Sequence, residues 1–154
     1  MRLLALALPF ALGACNADAP GSPAAPPLET ATYAAALGVN ISASTKLSSG
    51  MYYRDITVGT GATVASGMTV GARYIGYLTN GNVFDSNTSA ASPFSFKIGS
   101  GQVIQGWEQG LIGAKVGTTR QLIIPPGLGY GASGSGAIPG NAILVFTVTI
   151  ASAQ

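Results

Sequence analysis

The stretch GQVIQGWEQG, residues 101–110, carries the only tryptophan of the chain among three glycines and a single charged side chain. Val103, Trp107, Leu111 and Ala114 recur at helical spacing and form an apolar stripe. Gly106, Gly110 and Gly113 form a neighbouring stripe with no side chain. Each interior glycine costs about 1 kcal/mol relative to alanine in a helix. Three of them need compensation, and close approach of the helix backbone to a sheet would supply it. The spacing predicts a helix over residues 103–114. Trp107 has two readings here, a core side chain or the floor of an open aromatic pocket, and the burial habit of tryptophan favours the first.

The segments around this helix alternate with period two, as half-buried strands do. MYYRDITV (51–58) runs into the turn Gly59-Thr60-Gly61. MTVGARYIGYL (68–78) puts Val70, Ala72, Tyr74 and Leu78 on one face, with Arg73, Ile75 and Tyr77 on the other. Asn80-Gly81 is a strong hairpin signal because both residues tolerate positive φ, and VFDSN (83–87) returns from it. PFSFKI (93–98), TRQLIIP (119–125) and AILVFTVTIA (142–151) complete the set, the last with Leu144, Phe146, Val148 and Ile150 on one face. The order strands, one helix, strands predicts an α+β fold, a largely antiparallel sheet wrapped on a single short helix.

Composition removes whole classes of chemistry. The chain has 154 residues, no histidine, one cysteine and a formal charge of +2. That length suits one domain with a real core. A protein-supplied zinc site and a Ser-His or Cys-His nucleophile pair are excluded. Near-neutral charge without a basic cluster argues against a nucleic-acid partner. No metal or cofactor is expected.

The first fifteen residues, MRLLALALPFALGAC, account for the lone cysteine. Arg2 forms a minimal positive region, and Leu3 to Leu12 is an apolar run too short to span a bilayer. Leu12-Gly13-Ala14-Cys15 resembles the bacterial lipoprotein cleavage box. That resemblance implies a signal peptide over 1–14, lipidation of Cys15 and attachment to the cell envelope. Asn16, rather than Asp, follows the cysteine, which by the same resemblance favours the periplasmic face of the outer membrane over the inner. An ordinary secretory signal followed by a free thiol is the alternative. Residues 16–27 are dominated by Pro, Ala, Gly and Ser and read as a tether. A short helix is predicted over Leu28 to Leu37, with Gly38 as its stop. The expected division is therefore 1–14 leader, 15–45 lipidated tether and 46–154 folded domain.

A long loop, IPPGLGYGASGSGAIPGNAILVF (124–146), sets Tyr130 among glycines and carries Ile138-Pro139 before the last strand. Tyr74, Phe84, Phe94, Trp107, Tyr130 and Phe146 all fall on inward faces, loop entries or the helix. Aromatics so placed either fill a core or line a concave site.

With YIGYLTNGNVFDSN (74–87), PFSFKIGSGQVIQGWEQGLIGAKVG (93–117) and the 124–146 loop in this order and spacing, residues 50–151 resemble an FKBP-type peptidyl-prolyl cis–trans isomerase. The resemblance implies five to six antiparallel strands curled around the 103–114 helix. It implies a site with Trp107 as floor and Tyr74, Phe84, Phe94 and Phe146 as walls. Asp85 would stand at the rim, and Tyr130, Ala137 and Ile138 on the overhanging loop. Val103 and Ile104 would open the helix, with the Ile104 N–H facing a substrate carbonyl. Asp85 would act electrostatically on the twisting amide or merely fix its loop.

The implied partners are proline-containing segments of exported polypeptides and macrolide inhibitors of the family, and a monomer is expected. The implied reaction makes and breaks no covalent bond, which suits a chain without histidine. A binding module that holds prolyl segments without catalysis is the competing reading. Three departures bear on it. Residues 87–92, NTSAAS, lack the arginine common in that loop; Gln102 replaces a frequent acid; and the 133–138 loop, SGSGAI, is short and small. All three loosen the expected rim and leave the aromatic floor untouched.

Overall fold

The computed structural model describes residues 24–154. Seven strands form one antiparallel sheet: β1 (Thr45–Lys46), β2 (Tyr52–Thr57), β3 (Thr69–Leu78), β4 (Val83–Asn87), β5 (Phe94–Lys97), β6 (Thr119–Ile124) and β7 (Leu144–Ala153). The spatial order is β1-β2-β6-β7-β3-β4, with β5 also on β3. β3 pairs with β7 along its length, while its other edge takes β5 at Thr69–Ala72 and β4 at Tyr74–Tyr77. The count exceeds the expected five to six because the polar 88–93 loop divides that edge into two strands, and because the two-residue β1 extends the sheet.

Period two translates directly into burial. Val70, Ala72 and Tyr74 of β3 are buried with Phe146, Val148 and Ile150 of β7, and Trp107 and Leu111 pack into the same cluster from the helix. That helix, α1, spans Gln105–Gly110 and is half the predicted length. Ile104 is its N-cap in extended backbone (φ −60°, ψ 153°), and Leu111 caps its C-terminus. Gly113 has φ 82° and leads into the next turn. A six-residue helix is unstable by itself, and packing holds this one. An added Cβ would lie 2.6 Å from Ile124 at Gly106 and 2.7 Å from Met51 at Gly110. Two of the three predicted small-residue positions therefore do bring the backbone against the sheet; Gly113 meets nothing within 4 Å and serves the turn instead. At the C-terminal end Arg120, 3% exposed, donates to the Gly110 and Ile112 carbonyls at 2.9 and 3.1 Å and pairs with Asp55 at 2.5 Å.

The expected domain boundary near Lys46 falls inside the folded unit. Residues 24–45 form a strap across the outer face of the sheet, where Leu28 is buried with Tyr52, Ile123 and Ile143, and Tyr33, Val39 and Ile41 pack around them. Glu29 accepts hydrogen bonds from Lys46 Nζ at 2.7 Å and from the Tyr52 hydroxyl at 2.5 Å. Gln121 and Arg54 donate to the Leu37 and Gly38 carbonyls at 2.7 and 2.8 Å. The physical reason is that these apolar side chains find an uncovered apolar sheet face. The helix predicted over Leu28–Leu37 reduces to a turn at residues 28–30 and one 3-10 turn at Ala35–Leu37. Gly38 is its stop as expected, with φ 58° and its N–H on the Ala35 carbonyl. The leader and Cys15 lie outside the described residues.

Candidate functional site

The site grows from the centre of β3. Tyr74 faces inward, and two residues on, Gly76 lies opposite Asp85 on one neighbour and Phe146 on the other. A Cβ at Gly76 would stand 2.7 Å from Phe84 and 2.8 Å from Phe146, so only glycine lets both rings meet over the strand. They meet edge to face, centroids 5.4 Å apart at 89°. Beneath them Trp107 is enclosed by four rings. Tyr74 stands at 5.1 Å, Phe96 and Phe146 at 5.4 Å, and Phe94 at 6.3 Å. Edge-to-face packing of this kind stabilises by about 0.5–1.5 kcal/mol per pair beyond burial.

Trp107 has no exposed surface. The indole therefore belongs to the core, and as the base of the site it would support the rings above it rather than present open surface. The enclosing rings shield Trp107, and the partly exposed aromatic surface above it belongs to Phe84, Phe94 and Tyr130. The indole Nε1 has no hydrogen-bond partner among the described residues. Val103 and Ile138 are buried against the same cluster, and Ile104, Leu128 and Tyr130 pack at its margin. Ala137 is exposed and outside the cluster; it is the one predicted rim residue not brought to it.

The polar groups are few. The Tyr74 hydroxyl donates to Asp85 Oδ2 at 2.9 Å, and the Ser86 N–H donates to Oδ1 at 2.9 Å. Tyr130 stands close enough to feel Asp85. Burial first, and the Asp85 charge second, push its hydroxyl above the ordinary tyrosine range, so it is a proton-bearing donor at neutral pH. The Ile104 carbonyl accepts from Trp107 and Glu108 at 3.0 and 3.2 Å, whereas its N–H meets no acceptor among the described residues. The overhanging loop is closed by reciprocal bonds between Ser135 and Ile138, both 2.9 Å. No group of three or more metal-ligating side chains occurs among the described residues.

Three positions that shape the site escaped the sequence reading. Phe96 packs on Trp107, and the alternation of PFSFKI, which puts it on the face of Phe94, was the available signal. Glu108, 8% exposed, accepts the Gly99 N–H and, at 3.0 Å, the Gly101 N–H, tying down the turn that precedes Val103-Ile104. Gly76 carried no local signal, since its need for glycine arises across three strands. Gln102, in place of an acid, accepts the Lys97 N–H at 2.8 Å and so has a structural partner.

Comparison with known proteins agrees with this geometry. Residues 61–151 match the family model described as FKBP-type peptidyl-prolyl cis-trans isomerase. The chain belongs to that family. It is 51% identical over 105 residues to FK506-binding protein 4 of Gibberella zeae, covering 68% of this chain and 21% of that one. It is 50% identical over 110 residues to FK506-binding protein 2 of Dictyostelium discoideum, covering 70% and 80%. Among solved structures, FkpA from Escherichia coli superposes with a TM-score of 0.66 at 35% identity, covering 73% and 52%. The chain thus spans about a fifth of the Gibberella relative's length.

Proposed function

We propose that this chain is a peptidyl-prolyl cis–trans isomerase acting on Xaa-Pro segments of exported polypeptides. One observation carries the reading: a nest of edge-packed aromatic rings with a carboxylate, Asp85, held at its rim by Tyr74. Rotation about an Xaa-Pro bond faces a barrier of about 18–20 kcal/mol and takes roughly tens to hundreds of seconds unaided. The planar amide owes its stiffness to a charge-separated resonance form that water stabilises. A proline ring seated on Phe84, Phe94 and Tyr130 leaves that water, and the less polar twisted amide is then favoured. Catalysis is differential binding of the twisted state. An acceleration of about 10⁴–10⁶ requires only ~5–8 kcal/mol. The Tyr130 hydroxyl and the Ile104 N–H orient the flanking carbonyls, and no nucleophile, metal or cofactor takes part. Macrolide inhibitors of the family would occupy the same surface.

The N-terminal part of the proposal rests on sequence. A short apolar leader ending in Leu-Gly-Ala-Cys supports lipidation at Cys15 and anchoring to the envelope, facing the periplasm. The outer membrane is favoured over the inner because Asn16 follows the cysteine. Metabolic labelling with a fatty-acid analogue, in wild type and Cys15→Ser, tests this part separately.

The enzymatic reading is tested by the cis-to-trans rate of a Leu-Pro or Phe-Pro tetrapeptide with wild type, Trp107→Ala and Tyr130→Phe. Acceleration by wild type and a slower, folded Tyr130→Phe support it. Binding without acceleration would make the domain a prolyl-segment holder instead.

A further inference from the structure

A cavity of about 260 Å³ lies outside the aromatic nest, between the strap at Pro26, Ala31 and Thr32, the end of β3 and its turn at residues 78–80, and the loop at residues 139–143. We infer that this cleft is a second subsite, which takes an uncharged extended segment of client polypeptide flanking the isomerised proline. The inference rests on the prolyl-segment reading of the nest and extends it.

Position is the first argument. Residues 139–143 continue directly from Ile138, which is buried at the nest, and lead into Phe146. Residues 78–80 lead through the turn into Phe84 and Asp85. Both loops that border the proposed proline seat thus also border the cleft.

Chemistry is the second. No charged side chain lines the cleft. Pro26, Leu78, Pro139 and Ile143 supply apolar surface, while Thr32 and Asn80 supply hydroxyl and amide groups of the kind that meet a peptide backbone. At about 260 Å³ the cleft falls just below the usual range for drug-sized ligands of roughly 300–1,000 Å³ and suits one or two side chains with their backbone.

Its construction is the third. The strap wall lies outside residues 61–151, which the family model matches. It is nevertheless fixed: the Ala34 N–H donates to the Thr79 carbonyl at 2.7 Å, and Leu28 is buried beneath it. A preformed wall orders less on binding and so retains more of the contact energy.

The test compares a tetrapeptide around one Xaa-Pro bond with a peptide carrying the same core flanked by four uncharged residues on each side. Wild-type full chain, Thr32→Trp and Asn80→Trp are assayed; both substitutions are at exposed positions and fill the cleft, one from the strap and one from the turn. The expected result is a KM several-fold lower for the long peptide in wild type. Both variants should lose that advantage while tetrapeptide turnover is unchanged. Equal KM values for the two peptides in wild type, or an advantage that survives both substitutions, would overturn the subsite. If wild type turns over neither peptide, the catalytic reading fails, and equilibrium binding of the long peptide decides the subsite alone. Weaker binding to both filled variants then supports it, and unchanged binding refutes it.

Discussion

The Tyr74 hydroxyl holds Asp85 Oδ2 at 2.9 Å, joining the middle of the central strand to the rim of the aromatic nest. This contact occupies the carboxylate from the protein side, on a strand whose following segment, residues 87–92, has no arginine to do so. Tyr74→Phe keeps the ring against Trp107 and removes only the donor. Such a change costs about 1.5–3 kcal/mol where the acceptor is charged; Asp85 is only half-buried, so water takes over part of the bond and less is expected here. Peptide isomerisation should fall several-fold, while unchanged activity would mean that the position of Asp85 is immaterial.

Tyr130 gives a pH signature. Its pKa is raised first by burial and then by Asp85. A group whose folded pKa lies above its unfolded value adds stability that is complete below the unfolded pKa and is lost as pH rises through the folded one. The contribution of Tyr130 should therefore persist through neutral pH and disappear only above the usual tyrosine range near 10. Asp85→Asn should lower the Tyr130 pKa only in part, because the larger cause, burial, remains. Absorbance titration of tyrosinate, referenced to Tyr130→Phe, measures it; a return to the ordinary value would make the charge dominant.

Gly76→Ala places a methyl 2.7 Å from Phe84 and 2.8 Å from Phe146. Phe146 is fully buried and packs edge to face on Phe84, so the methyl must displace one ring against the other. Overpacking of this kind costs about 1–3 kcal/mol. We expect a lower denaturation midpoint and a loss of prolyl-peptide affinity of tenfold or more. Retention of wild-type affinity would show that the Phe84 ring can move without consequence for the site.

Much of this architecture was legible because it is local. Alternation in 68–78 and 142–151 placed Tyr74 and Phe146 inward, and the glycine stripe anticipated the contacts of Gly106 and Gly110. The helix was overextended because an apolar stripe continues through Leu111 and Ala114 even where Gly113, at φ 82°, has already turned the backbone. The strap was missed for the opposite reason. Its Pro/Ala-rich composition reads as chain with too little apolar surface to fold, yet Leu28, Tyr33, Val39 and Ile41 need only a ready-made sheet face to dock on. Contacts made by distant partners, such as Gly76 with Phe84 and Phe146 or Glu108 with Gly99, leave no periodic trace.

Glu108 closes the turn that positions Val103 and Ile104 by accepting the Gly99 and Gly101 N–H groups. Glu108→Ala leaves both donors without their partner in a partly buried turn, at about 1–3 kcal/mol for each donor that water cannot reach. The aromatic rings are untouched, so the expected kinetic effect is a raised KM with kcat largely kept. Glu108→Gln retains one acceptor oxygen and should recover part of the loss. A fall in kcat at constant KM would instead place Glu108 in the chemistry of rotation.

Acid should release the strap before the domain. The Glu29 carboxyl is held down to about 2, first by the hydrogen bond from Lys46 and next by that from Tyr52. A depressed folded pKa contributes stability that is present above the unfolded value, 4.5 here, and is lost as pH falls through the folded one. Glu29 and Lys46 are solvent-accessible, so the effect is confined to local order and is weakened by salt. Amide exchange at Leu37 and Gly38, whose N–H groups close the 3-10 turn of the strap, should accelerate between about pH 4.5 and 2, while exchange in β3 and β7 stays slow. After correction for intrinsic exchange, Glu29→Gln should show the faster strap exchange already at pH 6. If strap and sheet lose protection together in wild type, the strap is part of the global folding unit and Glu29 is not its latch.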